Sequence, residues 1–384
     1  MFLYLVITAE KIFCLLFLQR FTYYCGTIAM LSGGINMAAK IITIGSATMD
    51  VFVECDEANI VSVCTKDRSK DFMSYPYGSK IDISDFSSRV GGGGINTACN
   101  FANLGFDTSA IFKIGDDIYS EGILKFFKKH KVSLKHIIQK KDVSTGFSII
   151  LVSFQGDRTV LAHRGANALI RKDEIDFDAI KDADFIYVAP LNGESNAVIE
   201  PLVDYAHKHD LAICFNAGTT SLKKGRKHLD KILKYAHVVV MNKEEAIMAT
   251  GVQVRPDTKT EKFSHELVHP DIKEMLRTLK VQEYQVIVIT DGNKGAYAWD
   301  GKKYYFCPTF PSEVVSTLGA GDAFASTFCG ALKRTDLNVG LSLMYGSVNS
   351  ASVVSEFGAT DGLLTFDEIE KRLKNNPDYT YLEC

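Results

Sequence analysis

The sequence reads Ser316-Thr317-Leu318-Gly319-Ala320-Gly321-Asp322-Ala323-Phe324 at a point where two glycines and a carboxylate stand directly before an apolar run. That run reaches Leu332 and alternates small and bulky residues, which is typical of a buried helix. Glycine allows successive backbone N–H groups to point into one small space, and the helix N-terminus adds partial positive charge there. The stretch therefore predicts an anion hole made by Gly319, Ala320 and Gly321, with Asp322 beside it as a base. The alternative is a plain glycine turn followed by an ordinary first-turn helix acid.

The rest of the chain is typical of a globular protein with one large domain or two smaller ones. It has 384 residues, of which 46% are hydrophobic and 23% charged. A net charge of -3 without a basic block argues against nucleic acid or an anionic membrane as a partner, and favours small-molecule ligands. Nine scattered cysteines without a C-x-x-C pair indicate reduced thiols, so we expect a cytoplasmic protein.

Residues 1–36 differ in character from the remainder of the chain. Their apolar runs at 2–7 and 12–18 are interrupted by charges, and they match neither a membrane helix nor a secretory signal peptide. Met30 and Met37 both precede the first clear strand pattern. We treat residues 1–36 as an N-terminal extension of uncertain status, which an upstream start codon would explain, and expect the folded domain to span 37–384.

Strand and helix patterns alternate from Lys40 onward. Buried-strand patterns fall at 41–45, 109–114, 185–189, 212–216, 238–242 and 286–290. This alternation predicts an α/β fold with three layers, in which helices cover both faces of a mainly parallel sheet. Ligands gather at the carboxyl ends of strands in such sheets. The polar residues expected there are Asp50, Asn216, Asn242, Thr290 and Asp291.

Two segments have the composition of a small β flap outside the main sheet. Residues 51–90 mix β-branched, aromatic and charged residues, and residues 148–162 form a hairpin pattern around a turn at 155–157. The flap leads into Gly91-Gly92-Gly93-Gly94-Ile95-Asn96, which predicts a hinge and a bare backbone next to a ligand, or else a flexible hairpin tip. This run is not a dinucleotide fingerprint, because Asn96 stands where the last glycine of G-x-G-x-x-G belongs.

Three polar positions remain open between a functional and a structural interpretation. Asn242 and Glu245 lie one helical turn apart, where they could hold magnesium-bound waters, form a helix capping box, or do both. Arg164, next to a glycine, could face an anionic or hydroxylated ligand or lie on the surface. His265 and His269 are spaced like zinc ligands, but we expect them on a solvated loop. A hairpin is predicted at 297–306.

Four motifs stand in the order that is found in the ribokinase-like (PfkB-type) sugar and nucleoside kinases, and the chain resembles that family over residues 38–373. The motifs are the glycine run through Asn96, Gly165-Ala166-Asn167, Asn242-x-x-Glu245 and Gly319-Ala320-Gly321-Asp322. No P-loop of the form G-x-x-x-x-G-K-[ST] occurs. The resemblance implies transfer of the γ-phosphate of ATP, with Mg²⁺, to a hydroxyl of a sugar or nucleoside. It also implies a β lid within about 51–90 and 147–163, whose open strand edges suggest a homodimer.

The resemblance also assigns roles to individual residues. Asp322 would be the general base, and the backbone of Gly319, Ala320, Gly321 and Asp322 would hold the transferring phosphoryl group. The substrate would be bound by Asp50, Gly92, Gly94, Asn96 and Arg164. The nucleotide side would comprise Asn216, Asn242, Glu245, Thr290, Gly292, Asn349, Val353, Gly358 and Ala359, with Glu245 serving Mg²⁺ through water.

Two departures from the family pattern limit what the resemblance implies. Ser316 and Leu318 stand where members often carry aspartate and threonine, so a carboxylate of the K⁺ site is missing and K⁺ dependence is left open. Thr48 replaces the asparagine of ribokinases proper, so ribose is not singled out as substrate. The main rival is a non-catalytic ligand-binding or regulatory protein of the same fold. A nicotinamide-dependent oxidoreductase is disfavoured by the missing fingerprint.

Overall fold

The computed structural model describes residues 39–55, 58–65, 69–153, 158–255 and 268–384. The N-terminal extension, the turn expected at 155–157 and His265 lie outside the described residues. His269 lies at the N-terminus of a helix, where its Nδ1 accepts a hydrogen bond from the backbone N–H of Asp271 at 3.1 Å.

The strands, in chain order, are β1 (Lys40–Ile44), β2 (Thr48–Glu54), β3 (Asn59–Cys64), β4 (Ser69–Ser74), β5 (Asp85–Gly91), β6 (Asp107–Ile111), β7 (Lys113–Ile114), β8 (Ile138–Gln139), β9 (Gly146–Val152), β10 (Arg158–His163), β11 (Phe185–Val188), β12 (Ala212–Asn216), β13 (Val238–Asn242), β14 (Val286–Thr290), β15 (Ala296–Trp299), β16 (Tyr304–Cys307) and β17 (Leu382–Glu383). The helices are α1 (Gly93–Asn103), α2 (Ile118–Lys129), α3 (Phe177–Ile180), α4 (Ile199–Lys208), α5 (Thr219–Lys223), α6 (Arg226–Leu233), α7 (Lys243–Thr250), α8 (Pro270–Leu279), α9 (Ala320–Arg334), α10 (Val339–Val354) and α11 (Phe366–Lys374).

The main sheet has nine strands within the described residues, in the order β17-β16-β15-β14-β13-β12-β11-β1-β6. The six from β6 to β14 are parallel, and β15, β16 and β17 are antiparallel. The mainly parallel sheet predicted from the alternating patterns is therefore confirmed, as is the hairpin at 297–306. The pattern at 109–114 is divided in the structure, because β6 ends at Ile111 and the short β7 pairs with β8 instead.

Helices cover both faces of this sheet, since the strands are apolar on both sides. Ile42 and Ile44 of β1 pack into the core cluster that includes residues of α4, α6 and α8. Ile41 points to the opposite face, into a second cluster with residues of α1, α9 and α10. The result is the three-layer α/β/α arrangement predicted from the sequence, with buried residues such as Tyr187 at its centre.

A second sheet lies outside the main one and has the strand order β10-β9-β2-β5, with β3 and β4 as a separate hairpin. The two segments expected to form the flap thus pair with each other, β2 being parallel to β9. The placement of Asp50 at the end of β1 was wrong. The chain leaves the main sheet after Ile44, and Asp50 lies inside the lid strand β2, opposite Arg89 of β5 and Ser148 of β9.

A buried amide fixes the crossing from main sheet to lid. Asn167 accepts a hydrogen bond from the backbone N–H of Ala47 at 2.8 Å and donates one to the carbonyl of Ala47 at 2.7 Å. Asn167 is 1% exposed, so its amide satisfies both backbone groups of Ala47 away from water. Among the described residues, no helix combines the length and the apolar character needed to cross a bilayer.

Candidate active site

The N-terminus of α9 has the backbone geometry that the glycine motif predicts. Gly319 adopts a left-handed conformation with φ of 78°, and a Cβ at this position would lie 2.6 Å from the Cα of Ala359. Both facts require glycine here. A Cβ at Gly321, by contrast, would meet nothing within 4 Å, so the space in front of the helix end is open. The first N–H groups of a helix lack intrahelical partners, and here they border that open space.

Asp322 lies in the first turn of α9 and meets the first turn of α1. Asn96 Nδ2 donates a hydrogen bond to Asp322 Oδ2 at 2.8 Å, and a Cβ at Gly93 would lie 3.6 Å from Asp322 Oδ1. Burial among these elements raises the pKa of the Asp322 carboxyl, and the hydrogen bond from Asn96 opposes that rise. Asp322 as a whole residue is half-buried. Asn96 Oδ1 is buried and has no hydrogen-bond partner among the described residues.

Asp50 approaches the same glycine run from the lid. A Cβ at Gly91 would lie 2.2 Å from Asp50 Oδ2, so only a glycine leaves room for this carboxylate. Burial raises the pKa of Asp50, and hydrogen bonds with the side chains of Ser148 and Thr48 lower it. Asp50 contacts the beginning of the run at Gly91, and Asp322 lies near Gly93. The two carboxylates therefore flank one short stretch of backbone.

Gly92 and Gly94 allow that backbone to pack closely against the end of β1. Gly92 has φ of 101°, and a Cβ there would lie 2.5 Å from the carbonyl oxygen of Ser46. A Cβ at Gly94 would lie 2.8 Å from the carbonyl carbon of Gly45. The backbone N–H of Gly94 donates to Ser46 O at 3.0 Å. The start of α1 therefore packs closely against the strand end. Two side chains also bond to it, since Thr43 Oγ1 donates to Gly94 O and Ser46 Oγ accepts from the N–H of Gly93, both at 3.1 Å.

Arg164 is exposed at the start of the short 3-10 turn Gly165–Ala168. The buried polar residue of that motif is Asn167, which bonds to Ala47 as described above. The Gly165-Ala166-Asn167 motif therefore has a structural function in joining the lid to the main sheet, and Arg164 lies beside it.

Asn242 and Glu245 form a helix capping box, which is one of the two interpretations offered by the sequence for this pair. Asn242 Oδ1 accepts from the N–H of Glu245 at 2.8 Å, and Glu245 Oε2 accepts from the N–H of Asn242 at 3.1 Å. Burial raises the pKa of Glu245 to about 7, helped by the charge of Glu244 and opposed by the hydrogen bond from Asn242. Glu245 Oε1 has no hydrogen bond among the described residues, so one carboxylate oxygen remains for a hydrated cation.

Thr290 and Gly292 lie next to this helix start. Asn242 and Thr290 are register partners at the carboxyl ends of β13 and β14, and Gly292 follows in an exposed turn with φ of 52°. Lys243 forms an ion pair with Asp291, and both side chains are largely buried. Sequence patterns did not identify this pair, because it forms across two strand ends that are far apart in the chain.

Asn216 lies at the end of β12, where its Nδ2 donates to the hydroxyl of Tyr187 at 3.2 Å. Tyr187 is completely buried in the centre of the sheet. Burial raises the pKa of its hydroxyl, and the neighbouring Cys329 and Asp322 raise it further. This hydrogen bond orients the Asn216 amide at the carboxyl end of β12.

The C-terminal residues that the resemblance assigns to the nucleotide fall into two groups. Ala359 lies against the glycine turn that begins α9, since it is the residue that excludes a Cβ at Gly319, and Gly358 directly precedes it. Asn349 and Val353 are both fully buried in α10. The Asn349 amide donates to Asn100 Oδ1 and Thr327 Oγ1 at 2.9 and 2.7 Å and accepts from the N–H of Leu364, so its polar atoms join α10 to α1 and α9.

Comparison with known proteins identifies the class of protein to which this fold and this site belong. The family model described as "pfkB family carbohydrate kinase" matches residues 39–365. The chain belongs to this family, and its class of enzyme is carbohydrate kinase.

Curated relatives agree with that assignment. Ribokinase of Staphylococcus aureus is 24% identical over 338 residues, which cover 87% of this chain and 100% of that protein. The bifunctional ribokinase/ribose-5-phosphate isomerase A of Fructilactobacillus sanfranciscensis is 26% identical over 336 residues, or 86% of this chain. The chain spans only 55% of that bifunctional protein's length.

Solved structures share the fold. The structure of Arabidopsis thaliana ribokinase complexed with ribose and ATP superimposes with a TM-score of 0.69 at 19% sequence identity. The superposition covers 88% of this chain and 99% of that one. The ribokinase-like fold expected from the four motifs is confirmed.

Proposed function

We propose that this protein transfers the γ-phosphate of ATP to a hydroxyl group of a sugar or nucleoside, with Asp322 as the general base. The observation that carries the proposal is the position of Asp322, which lies at the open N-terminus of α9 and is bonded to Asn96 at 2.8 Å. A base at this point stands between the backbone N–H groups of the anion hole and the glycine run that leads to Asp50.

The acceptor binds between the lid and α1. Asp50 holds its hydroxyl groups, as the inward position of this carboxylate between Gly91 and Ser148 supports. Gly92 and Gly94 allow the sugar to approach the backbone, and Asn96 lies next to the hydroxyl that reacts. Arg164, exposed beside the lid hinge, contacts the outer part of the substrate.

Asp322 takes the proton from the acceptor hydroxyl as the phosphoryl group arrives. A carboxyl whose pKa is raised by burial is a stronger base than one in water, provided that it is ionised at the working pH. Phosphoryl transfer depends mainly on positioning and on stabilising negative charge. The N–H groups of Gly319, Ala320, Gly321 and Asp322 supply such stabilisation at fixed positions.

The nucleotide lies along the rim formed by the ends of β12, β13 and β14. Asn216, Asn242, Thr290 and Gly292 border its phosphates, and Gly358 and Ala359 close the side near the anion hole. Glu245 holds Mg²⁺ through water with its free oxygen, and Mg²⁺ supplies positive charge to the phosphates when it is bound. The buried side chains of Asn349 and Val353 support this wall from behind.

The lid closes over the acceptor about Gly91 and Gly92 and excludes water from the reaction. We further propose that open strand edges of the lid pair two copies of the chain into a homodimer in the cytoplasm. The apolar side chains of Val61, Val63 and Phe72 on the β3–β4 hairpin are between 44% and 49% exposed, which supports such an association.

The test is ATP consumption by the purified protein with a panel of pentoses, hexoses, sugar phosphates and nucleosides. We expect turnover with at least one acceptor, and loss of that turnover in Asp322→Asn. Thermal stabilisation by a sugar or nucleoside without any ATP consumption would support the alternative, a non-catalytic binding protein with the same fold. Turnover that persists in Asp322→Asn would remove the proposed base.

A further inference from the structure

We infer that Asn100, a buried residue of α1, is a positioning residue of the reaction, because it fixes the first turn of α9 where Asp322 meets Asn96. The inference rests on the proposed kinase function. It gives a role to a polar side chain that lies inside the contact between the two helices, one turn further along α1 than Asn96.

Asn100 lies on the face of α1 that packs against α9. It follows Asn96 by four residues, which places the two side chains one above the other on the same side of the helix. Asn100 is 0% exposed. A buried amide costs free energy unless its polar atoms are paired, so the partners of Asn100 indicate what it holds in place.

Both polar atoms of the Asn100 amide have partners. Its Nδ2 donates to Ser326 Oγ at 2.7 Å and to Thr327 Oγ1 at 2.8 Å, which uses both of its hydrogens. Its Oδ1 accepts from Asn349 Nδ2 at 2.9 Å. The three partner side chains are themselves buried, so these hydrogen bonds form in the interior of the protein, between α1, α9 and α10.

One of these hydrogen bonds leads to the proposed base. Ser326 Oγ donates its single hydrogen to the backbone carbonyl of Asp322 at 2.5 Å. Because Asn100 supplies a hydrogen to the same hydroxyl oxygen, the serine directs its own hydrogen away from Asn100, and the two bonds strengthen each other. A serine that bonds to the carbonyl four residues earlier also bends its helix slightly. Asn100 therefore acts through Ser326 on the direction of the first turn of α9.

Helix α1 consequently holds Asp322 at two points. Asn96 bonds to its carboxylate at 2.8 Å, and Asn100 reaches its main chain through Ser326. The direction of a carboxylate depends on its main chain as well as on its side-chain rotamer, so a shift of α9 against α1 would break the bond to Asn96. Misplacement of a reacting group by about 1 Å can lower a rate about 10²-fold.

A purely structural interpretation is that these hydrogen bonds only stabilise the packing of the three helices, as buried polar networks commonly do. Ser326 and Thr327 distinguish the two interpretations. They are adjacent in α9, both are 0% exposed, and both accept a hydrogen bond from Asn100. Ser326 continues to the main chain of Asp322, whereas Thr327 continues to Asn349.

The experiment compares Ser326→Ala with a matched control, Thr327→Val, which removes the neighbouring hydroxyl. Each variant leaves one N–H of Asn100 without its acceptor, so both should lower the midpoint of urea unfolding to a similar extent. We expect kcat to fall about 10-fold in Ser326→Ala, about 10²-fold in Asn100→Ala, and less than about threefold in Thr327→Val. The KM values for the acceptor and for ATP should change little in all three variants, because the residues that bind the substrates are retained.

A second readout does not depend on turnover. Crystal structures of Ser326→Ala and Thr327→Val give the distance between Asn96 Nδ2 and Asp322 Oδ2 directly. We expect this distance to exceed about 3.5 Å in Ser326→Ala, beyond the range of a hydrogen bond. It should remain near 2.8 Å in Thr327→Val.

The outcomes separate this inference from the function on which it rests. If Ser326→Ala or a folded Asn100→Ala keeps kcat within about threefold of the wild type, the network only stabilises the fold and the inference is wrong. An equal loss of kcat in Ser326→Ala and Thr327→Val, or an unchanged distance between Asn96 and Asp322 in Ser326→Ala, would also overturn it. If the wild type consumes no ATP with any acceptor but the distance lengthens in Ser326→Ala alone, the kinase proposal fails while the positioning of Asp322 stands. The two hydroxyl variants decide the matter even if Asn100→Ala does not fold.

Discussion

Asn96 Nδ2 lies 2.8 Å from Asp322 Oδ2, although the two residues are 226 positions apart in the chain. The hydrogen bond joins the first turn of α1 to the first turn of α9, so the glycine run after the lid and the glycine motif of the anion hole meet at one carboxylate. An amide N–H favours the ionised carboxylate, whereas burial favours the protonated one. Asn96 therefore orients Asp322 and opposes the protonation that burial favours.

Asp322→Asn tests the base directly. The amide keeps the shape of the side chain but cannot accept a proton, so turnover should fall by about 10²- to 10⁴-fold. ATP affinity, measured by calorimetry, should remain close to that of the wild type. Near-normal turnover in this variant would exclude Asp322 from proton transfer.

Asp50→Ala tests the acceptor site. Loss of this carboxylate removes hydrogen bonds to substrate hydroxyls, so the KM for the acceptor should rise by about 10- to 100-fold while the KM for ATP changes little. Steady-state kinetics with each substrate varied in turn provide the measurement. Val51→Ala, one residue along β2 on the other face of the lid, is the control. An unchanged acceptor KM in Asp50→Ala would contradict the proposal.

Gly319→Ala tests the geometry of the anion hole. The added methyl group would lie 2.6 Å from the Cα of Ala359, and the residue would have to keep a φ of 78°. We expect a loss of stability of about 1–3 kcal/mol, measured by urea unfolding, together with a large loss of kcat. Gly321→Ala is the matched control, because a Cβ there meets nothing within 4 Å. Equal stability of the two variants would show that the left-handed turn is not required.

The raised pKa of Glu245 leads us to expect that magnesium binding depends on pH. Its pKa is raised to about 7, and only the ionised carboxylate attracts a hydrated cation. The Mg²⁺ concentration needed for half-maximal activity should therefore increase as the pH falls below about 7 and level off above it. Titration of activity with Mg²⁺ between pH 6 and 8, at constant MgATP, gives the measurement.

The effect of pH on folding stability runs in the opposite direction to its effect on Mg²⁺ binding. Folding raises the pKa of Glu245 above its unfolded value of 4.5, so the folded state favours the protonated carboxyl. The contribution of this protonated group to stability is therefore lost as the pH rises toward 7. Glu245→Gln should remove both effects. Retention of the full pH dependence of the Mg²⁺ requirement in Glu245→Gln would assign that dependence to another group.

Local patterns were sufficient for the elements and for the glycine turn at the start of α9. Apolar β-branched runs such as Val286–Thr290 predict buried parallel strands because both faces of the sheet are covered. The glycines at 319 and 321 and the following apolar run predict a helix N-terminus, since glycine conformation and helix start are determined by neighbouring residues. The capping box of Asn242 and Glu245 could be predicted for the same reason.

Asp50 and Asn349 show where such patterns fail. Asp50 follows β1 in sequence, but its position depends on β5 and β9, which pair with β2 from distant parts of the chain. Asn349 looks like any polar helix residue, and only the packing of α10 against α1 and α9 turns its amide into the interior. The positions of these two side chains could not be predicted from the spacing of residues in the sequence, because both positions depend on long-range contacts.

The sequence by itself determined the alternating α/β elements, the two glycine-rich turns and the family of the chain, all of which depend on short-range periodicity and motif order. Tertiary structure alone decided that Asn96 bonds to Asp322, that Asp50 belongs to the lid and that Asn100 bonds to Ser326. The reason is physical. The conformational preferences that determine secondary structure act between near neighbours in the chain, whereas a functional site depends on which distant segments come together when the core packs.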